Sequence, residues 1–236
     1  ICNILRYYST FIMSQKTREE QDSLGSIKVI NTNLWGAQTE RSLKNFRIGN
    51  DIMPIEIIHA LAVIKMSCAK ANQKQKFLSP KLASAIIDAA KQVSLGKYDD
   101  HFPLSVWQTG SGTQTNMNVN EVIANIANRK ISKKLGTNSP VHPNDHVNKS
   151  QSTNDSFPTA MNIASKLKII RELVPALKSM EKVLKSQSQK WKSIIKIGRT
   201  HLQDATPLSL GQEFSGYQAQ INSNIRRVER TLTNLS

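Results

Sequence analysis

The 236-residue sequence predicts a mainly α protein: a mixed N-terminal domain followed by the long helices of a central bundle, cut off before that bundle is complete. Three observations carry this expectation. Apolar residues recur at i, i+3, i+4 spacing over two long C-terminal segments. Proline and glycine punctuate the chain as helix starts and stops. Alternating, strand-like runs are few and short.

Taken in order, Ser26–Ile30 is the first strand signal. Pro54 opens a helix whose apolar face is read as Ile58, Leu61, Val63, Ile64 and Cys68. Ser79-Pro80 forms an N-cap with proline at the first helical position; Leu82, Ile86, Ala90 and Val93 follow, and Gly96 stops the helix. A third helix is expected over 116–135, ending at Gly136. A longer one runs over 159–191, with Met161, Ala164, Leu167, Ile170, Leu173, Leu177, Met180 and Leu184 as its stripe, and Pro175 predicting a kink. Ile194–Ile197 is a second short strand signal. A last helix after Pro207 carries Phe214, Tyr217, Ile221, Ile225, Val228, Leu232 and Leu235. Two helices longer than the usual globular length point to a bundle. The expected organisation is a tail over 1–20, an N-terminal domain over 21–152 and the first part of the bundle over 153–236. Periodicity still running at Leu232 and Leu235, with no stop beyond, is read as truncation.

Composition narrows the function classes. A hydrophobic content of 39% is well above what disorder requires, and no apolar run approaches the roughly 18–20 residues that span a bilayer. Cys2 and Cys68 match no metal-ligand spacing and build no disulfide framework, which fits a reducing interior. The net charge of +15 is dispersed along helical stretches, as in Lys166, Lys168, Arg171, Lys178, Lys182 and Lys185, without aromatic platforms. That pattern is a solvated face rather than a nucleic-acid interface. Residues 1–18 are basic, hydroxyl-rich and free of acids, as organelle transit peptides are; an unstructured tail has the same composition.

Three polar blocks resist a structural explanation. The first, Thr109 to Asn118, combines Gly110 and Gly112 with dense hydroxyls and amides, a composition suited to carboxylate binding at a helix N-terminus. Loops have this composition too. The second, His142 to Asp155, contains one apolar side chain other than proline, Val147, and precedes a hydrophobic helix that Ser152, Thr153, Asn154 or Asp155 could cap. The third, Gly198 to Glu213, holds His201 between a hydroxyl and a polar turn. An imidazole there is a candidate acid/base, although a lone histidine is more often structural.

Together and in this order, Trp107–Asn120, Val141–Asp155 and Ile197–Glu213 resemble the motifs of the fumarase/aspartase superfamily, and within it class II fumarases. Trp35-Gly36-Ala37-Gln38-Thr39, Asp100 to Leu104 and Phe157 to Met161 extend the resemblance over residue 20 to the end. His201 and His142 stand where aspartase-like sequences usually have Gln and Asn, which favours a hydratase over an ammonia-lyase: imidazole can take a proton from water and an amide cannot. The resemblance implies carboxylate ligands at Ser111, Gly112 and Thr113, with a second group at Ser152, Thr153 and Asn154. Thr200 adds a hydroxyl, and His201 is the residue that activates or protonates water. His142, Pro143, Asn144 and Asp145 resemble an accessory dicarboxylate site, with a structural loop as the alternative. The resemblance further implies a fumarate/malate dicarboxylate substrate in the tricarboxylic acid cycle, no cofactor or metal, and a homotetramer. The composition of residues 1–18 adds a mitochondrial matrix location, with the cytoplasm as the alternative, and the charge pattern and hydropathy imply no nucleic-acid or membrane partner. Family members also use a Gly-Ser-Ser loop carrying the C3 base. This sequence does not contain it, so the chain alone is expected to be inactive, as a catalyst short of a base or as a noncatalytic homologue.

Overall fold

The computed structural model describes residues 16–235, which fall into two compact units, one running through Met161 and one starting at Asn162. The transit-peptide reading and Cys2 lie outside the described residues. Among them, no helix is long and apolar enough to cross a membrane.

The first unit opens with an antiparallel hairpin of β1 (Thr17–Asp22) and β2 (Gly25–Ile30), in register from Thr17 opposite Ile30 to Asp22 opposite Gly25. β1 carries no alternating apolar pattern, so the sequence signals only its partner. Four helices follow: α1 (Ala37–Asn45), α2 (Ile55–Lys74), α3 (Pro80–Ser94) and α4 (Thr113–Ser132). Ser79 caps α3 as the sequence predicts, its hydroxyl accepting from Leu82 N–H at 3.5 Å. Ile58 and Leu61 of α2, Ile86 and Val93 of α3, and Val119, Val122 and Ile123 of α4 are fully buried. Each such side chain contributes about 1.5–3 kcal/mol of transfer free energy. The expected face of α2 shifts: Val63 is exposed, and Lys65 and Asn72 lie on the buried stripe with Ile58, Leu61 and Ala69.

Helices α4 and α5 (Thr153–Lys168) begin earlier than periodicity indicates, at Thr113 rather than residue 116 and at Thr153 rather than residue 159. Their first turns are polar at exposed and buried positions alike: Thr113 and Asn154 are exposed, while Asn116 is buried where it bonds Thr153.

In the second unit a π-helical turn (Ile169–Leu173) precedes α6 (Val174–Lys190). Pro175 has no N–H for the carbonyl of Arg171, and the wider turn falls at that point rather than a break in the helix. Strand β3 (Ile195–Thr200) pairs antiparallel with β4 (Gln203–Ser209), and α7 (Leu210–Thr231) packs along α6. Pro207 belongs to β4, so α7 starts at Leu210, where Ser209 and Gln212 form a reciprocal capping box at 3.1 and 2.8 Å. The edge of Phe214 meets Trp191 with ring centroids 4.6 Å apart.

The segment Trp35 to Thr39 is held by one carboxylate from α4. Glu121 accepts from Gly36 N–H (2.9 Å), Gln38 N–H (2.8 Å), Thr39 N–H (3.2 Å) and the Thr39 hydroxyl (2.6 Å). It does for α1 what a capping side chain would, because Gly36 at the N-cap has none. A Cβ on Gly36 would lie 2.9 Å from the Glu121 carboxyl carbon, so close approach requires glycine. Burial pushes the Glu121 carboxyl up to about 7 against the pull of its four donors. The unfolded chain releases that proton near 4.5, so its contribution to stability falls as pH rises from 4.5 to about 7. Glu121→Ala is expected to lower unfolding free energy by at least about 3 kcal/mol, since it orphans four donors, and to remove that pH slope. Denaturant melts across this pH range measure both.

Candidate active site

The first and second polar blocks meet within the first unit. Gly112 adopts a left-handed conformation (φ 72°) at the N-cap of α4, and no side chain caps that terminus. The Phe157 ring occupies the space its side chain would need, 2.4 Å from an added Cβ. This contact docks the start of α4 against the first turns of α5. Ser111 and Thr113 share a hydrogen bond at 2.9 Å, and both are exposed. At α5, Ser152 Oγ accepts from Asn154 N–H at 3.2 Å, while Asp155 and Ser156 N–H groups bond the Ser152 carbonyl. Asn116, in the first turn of α4, donates from Nδ2 to Thr153 Oγ1 at 3.0 Å. Two helix N-termini thus share one hydroxyl- and amide-rich surface. Their partial positive charges and outward N–H groups favour an anion.

His142 to Asp145 take a different role in the geometry. Asn144 and Asp145 N–H groups both donate to His142 Nδ1 at 3.2 Å, so the ring caps a π-helical turn over Pro143–Val147. His142 N–H donates to His146 Nδ1 at 2.8 Å. Pro143 is buried, Asn144 and Asp145 are exposed, and His142, Pro143 and Asn144 line a cleft of about 430 Å³. Glu20, Asp22 and Glu121 also line it, with Glu20 paired to Arg18 at 2.8 Å and Asp22 to Arg41 at 2.9 Å. A cleft with carboxylates in its wall is less suited to a dicarboxylate than the paired helix N-termini.

Thr200 and His201 belong to the second unit, where His201 and Leu202 form the two-residue turn between β3 and β4. Both have positive φ, 51° and 64°, as a type I′ turn requires at its central residues. Such turns favour Asn-Gly; a histidine and a leucine there are strained. Leu202 is 97% exposed, so packing does not compensate. The turn presents His201 to solvent.

Two residues in this region escape sequence reasoning. Glu121 reads as one polar residue in a polar helix. Lys65 reads as a break in an apolar run, yet its spacing from Ile58, Leu61 and Ala69 places it on their stripe, and that signal was legible. Among the described residues no group of His, Cys, Asp and Glu side chains is arranged to hold a metal ion.

Gly112→Ala is expected to cost about 2–4 kcal/mol, from backbone strain together with the clash against Phe157. Leu202→Gly is expected to stabilise by about 0.5–1 kcal/mol, as relief of left-handed strain outweighs added unfolded-state entropy. Thermal melts of each variant measure both signs.

Comparison with known proteins places this geometry. The sequence family described as Lyase matches residues 25–236. Fumarate hydratase class II 2 of Bradyrhizobium diazoefficiens is 59% identical over 213 residues, covering 90% of this chain and 45% of that protein. Fumarate hydratase class II of Rickettsia felis is 55% identical over 215 residues, covering 91% and 47% respectively. The crystal structure of class II fumarase from Schistosoma mansoni superimposes with a TM-score of 0.88 at 45% identity, covering 93% of this chain and 46% of that one. The chain therefore spans about half the length of the curated relatives it matches. With a family match that takes in both units and all three polar blocks, the chain belongs to this lyase family.

Proposed function

We propose that this chain supplies the first half of a fumarate hydratase subunit, which adds water reversibly to fumarate to give (S)-malate. The observation that carries the reading is the pair of helix N-termini joined through Asn116 and Thr153, with the Ser111, Thr113, Ser152 and Asn154 side chains exposed around them. In the dehydrating direction a base removes the C3 proton of malate, and the adjacent carboxylate becomes an aci-carboxylate bearing additional negative charge. Fixed neutral donors stabilise that charge as it develops. An acid then protonates the departing C2 hydroxyl; His201, with Thr200 beside it, takes this role, and in the reverse direction it accepts the proton of water. The C3 base belongs to the Gly-Ser-Ser loop that the resemblance implies, so the 236-residue chain by itself is expected to be inactive. Assembly into a homotetramer and a place in the tricarboxylic acid cycle follow from the same reading. A mitochondrial location rests on residues 1–18 alone, and fusing them to a fluorescent reporter tests it.

The decisive experiment is fumarate hydration by the full-length protein after exhaustive chelation. Activity is expected to persist, and loss restored by one metal would overturn the site's assignment. His201→Asn is expected to lower kcat by about 10²–10⁴-fold with a melting temperature no lower than wild type, since asparagine suits the left-handed turn position. His142→Asn is expected to leave turnover largely intact, since His142 caps its own turn. A folded His201→Asn protein with wild-type kcat would remove the histidine from the chemistry.

A further inference from the structure

We propose that Lys65 is a positioning residue for the carboxylate-binding surface: its buried ammonium fixes the Asn148–Thr153 turn and adds a positive charge behind the two helix N-termini. The proposal rests on the reading of that surface as a dicarboxylate site.

Lys65 is 0% exposed and heads the fully buried side chains by volume. Its Nζ donates to Asn148 Oδ1 at 2.8 Å and to Gln151 Oε1 at 2.9 Å. Both partners are neutral amides, and among the described residues no carboxylate lies within ion-pair distance of it. Fully buried lysines are rare unless paired, because desolvating an unneutralised charge is costly. Burial accordingly lowers the Lys65 ammonium to about 7. A core that only needed volume would hold a leucine or methionine at this position.

What the ammonium does is visible in its partners. By drawing both amide oxygens inward it sets which way the two amides face. Asn148 Nδ2 is thereby left to donate to the Gln151 carbonyl at 3.1 Å, and Gln151 Nε2 to the Val147 and Lys149 carbonyls at 3.0 and 3.2 Å. These bonds close the turn that leads into α5. Asn148 Oδ1 also accepts from Asn116 Nδ2 at 3.1 Å, and the same Nδ2 donates to Thr153 Oγ1. Three hydrogen bonds therefore connect the ammonium to a site hydroxyl. Because Thr153 Oγ1 accepts from Asn116, its own proton is available to donate to an anion. Asn116 itself is 1% exposed. A bound dicarboxylate supplies the negative charge that the protein leaves out around Lys65, so the residue favours dianions through attraction as well as through geometry.

The test uses the full-length enzyme with Lys65→Met, which keeps length and removes charge and donors, and Lys65→Gln, which keeps a donor. Wild-type protein without fumarate hydratase activity would defeat the functional reading, whatever the variants do. With active wild type, Lys65→Met is expected to raise KM for fumarate and the inhibition constant of succinate at least about tenfold, while kcat of the folded enzyme changes less than about threefold. Lys65→Gln should show the same split. Variants that melt earlier but keep wild-type KM and succinate affinity would reduce Lys65 to a core residue and overturn the proposal. Failure of both to fold would overturn it equally, since the lysine's role would then be structural.

Discussion

Helix α4 is a buried polar helix, and the first unit is arranged around satisfying it. Thr115 to Asn128 are buried almost without interruption, and the helix carries five asparagines and Glu121. Buried amides need partners, and three of the five asparagines find them in irregular backbone, while Asn116 and Asn120 each leave a buried Oδ1 without one. Asn118 donates to the His101 carbonyl, and Asn125 donates to the Leu34 carbonyl while accepting from Gly136 N–H. Asn128 exchanges two bonds of 2.8 Å with Val141. Glu121 holds the start of α1, and Asn116 holds the start of α5. A sheet would pin neighbouring segments through its backbone ladder; in this unit side-chain amides on one helix do so.

That arrangement explains why the candidate site lies where segments without regular structure meet helix starts. Asn116 joins α4 to α5, and Phe157 closes the gap over Gly112. Both contacts require the first turns of the two helices to be polar or small on the shared side. Ser111 and Thr113 sit at one terminus and Ser152 to Asn154 at the other, so the candidate ligands and the helix termini are the same residues. Local geometry in such networks is over-determined, which is what keeps donors preorganised.

Much of this was legible in the sequence, and the failures have a common cause. Hydrophobic periodicity identified α2 and α3 because their buried faces are apolar, and it identified α6 and α7 although only Val174, Gly211 and Ile225 of that pair are buried and Met180 stays exposed. It placed the starts of α4 and α5 too late because Thr113, Thr153 and Asn154 are helical residues with polar tasks. The same blindness assigned Val63 to the core of α2 and passed over Lys65, whose buried position is revealed only by spacing. Strands β1 and β4 carry too little apolar alternation to be read, and β4 contains Pro207, which reads as a helix start. Candidate site residues were named from motif resemblance, whereas the links among them, Asn116 to Thr153 and Asn148 to Lys65, depend on contacts that no spacing rule encodes.

The proposed dicarboxylate site is built mainly from neutral donors, which raises the question of why a cation is held back from the surface. A lysine in direct contact with the carboxylate would bind substrate and transition state almost equally, and uniform binding lowers KM without raising kcat. Hydroxyls and backbone N–H groups can shorten their bonds as charge accumulates on the aci-carboxylate, so they favour the transition state specifically. A cation screened behind Asn148 and Gln151 acts instead at a distance, without contact to the reacting carboxylate. It offsets the cost of bringing a dianion out of water and leaves discrimination to the donors in contact. The separation of Lys65 from the surface by one layer of amides is therefore consistent with a division in which charge attracts the substrate and neutral dipoles stabilise the reacting state.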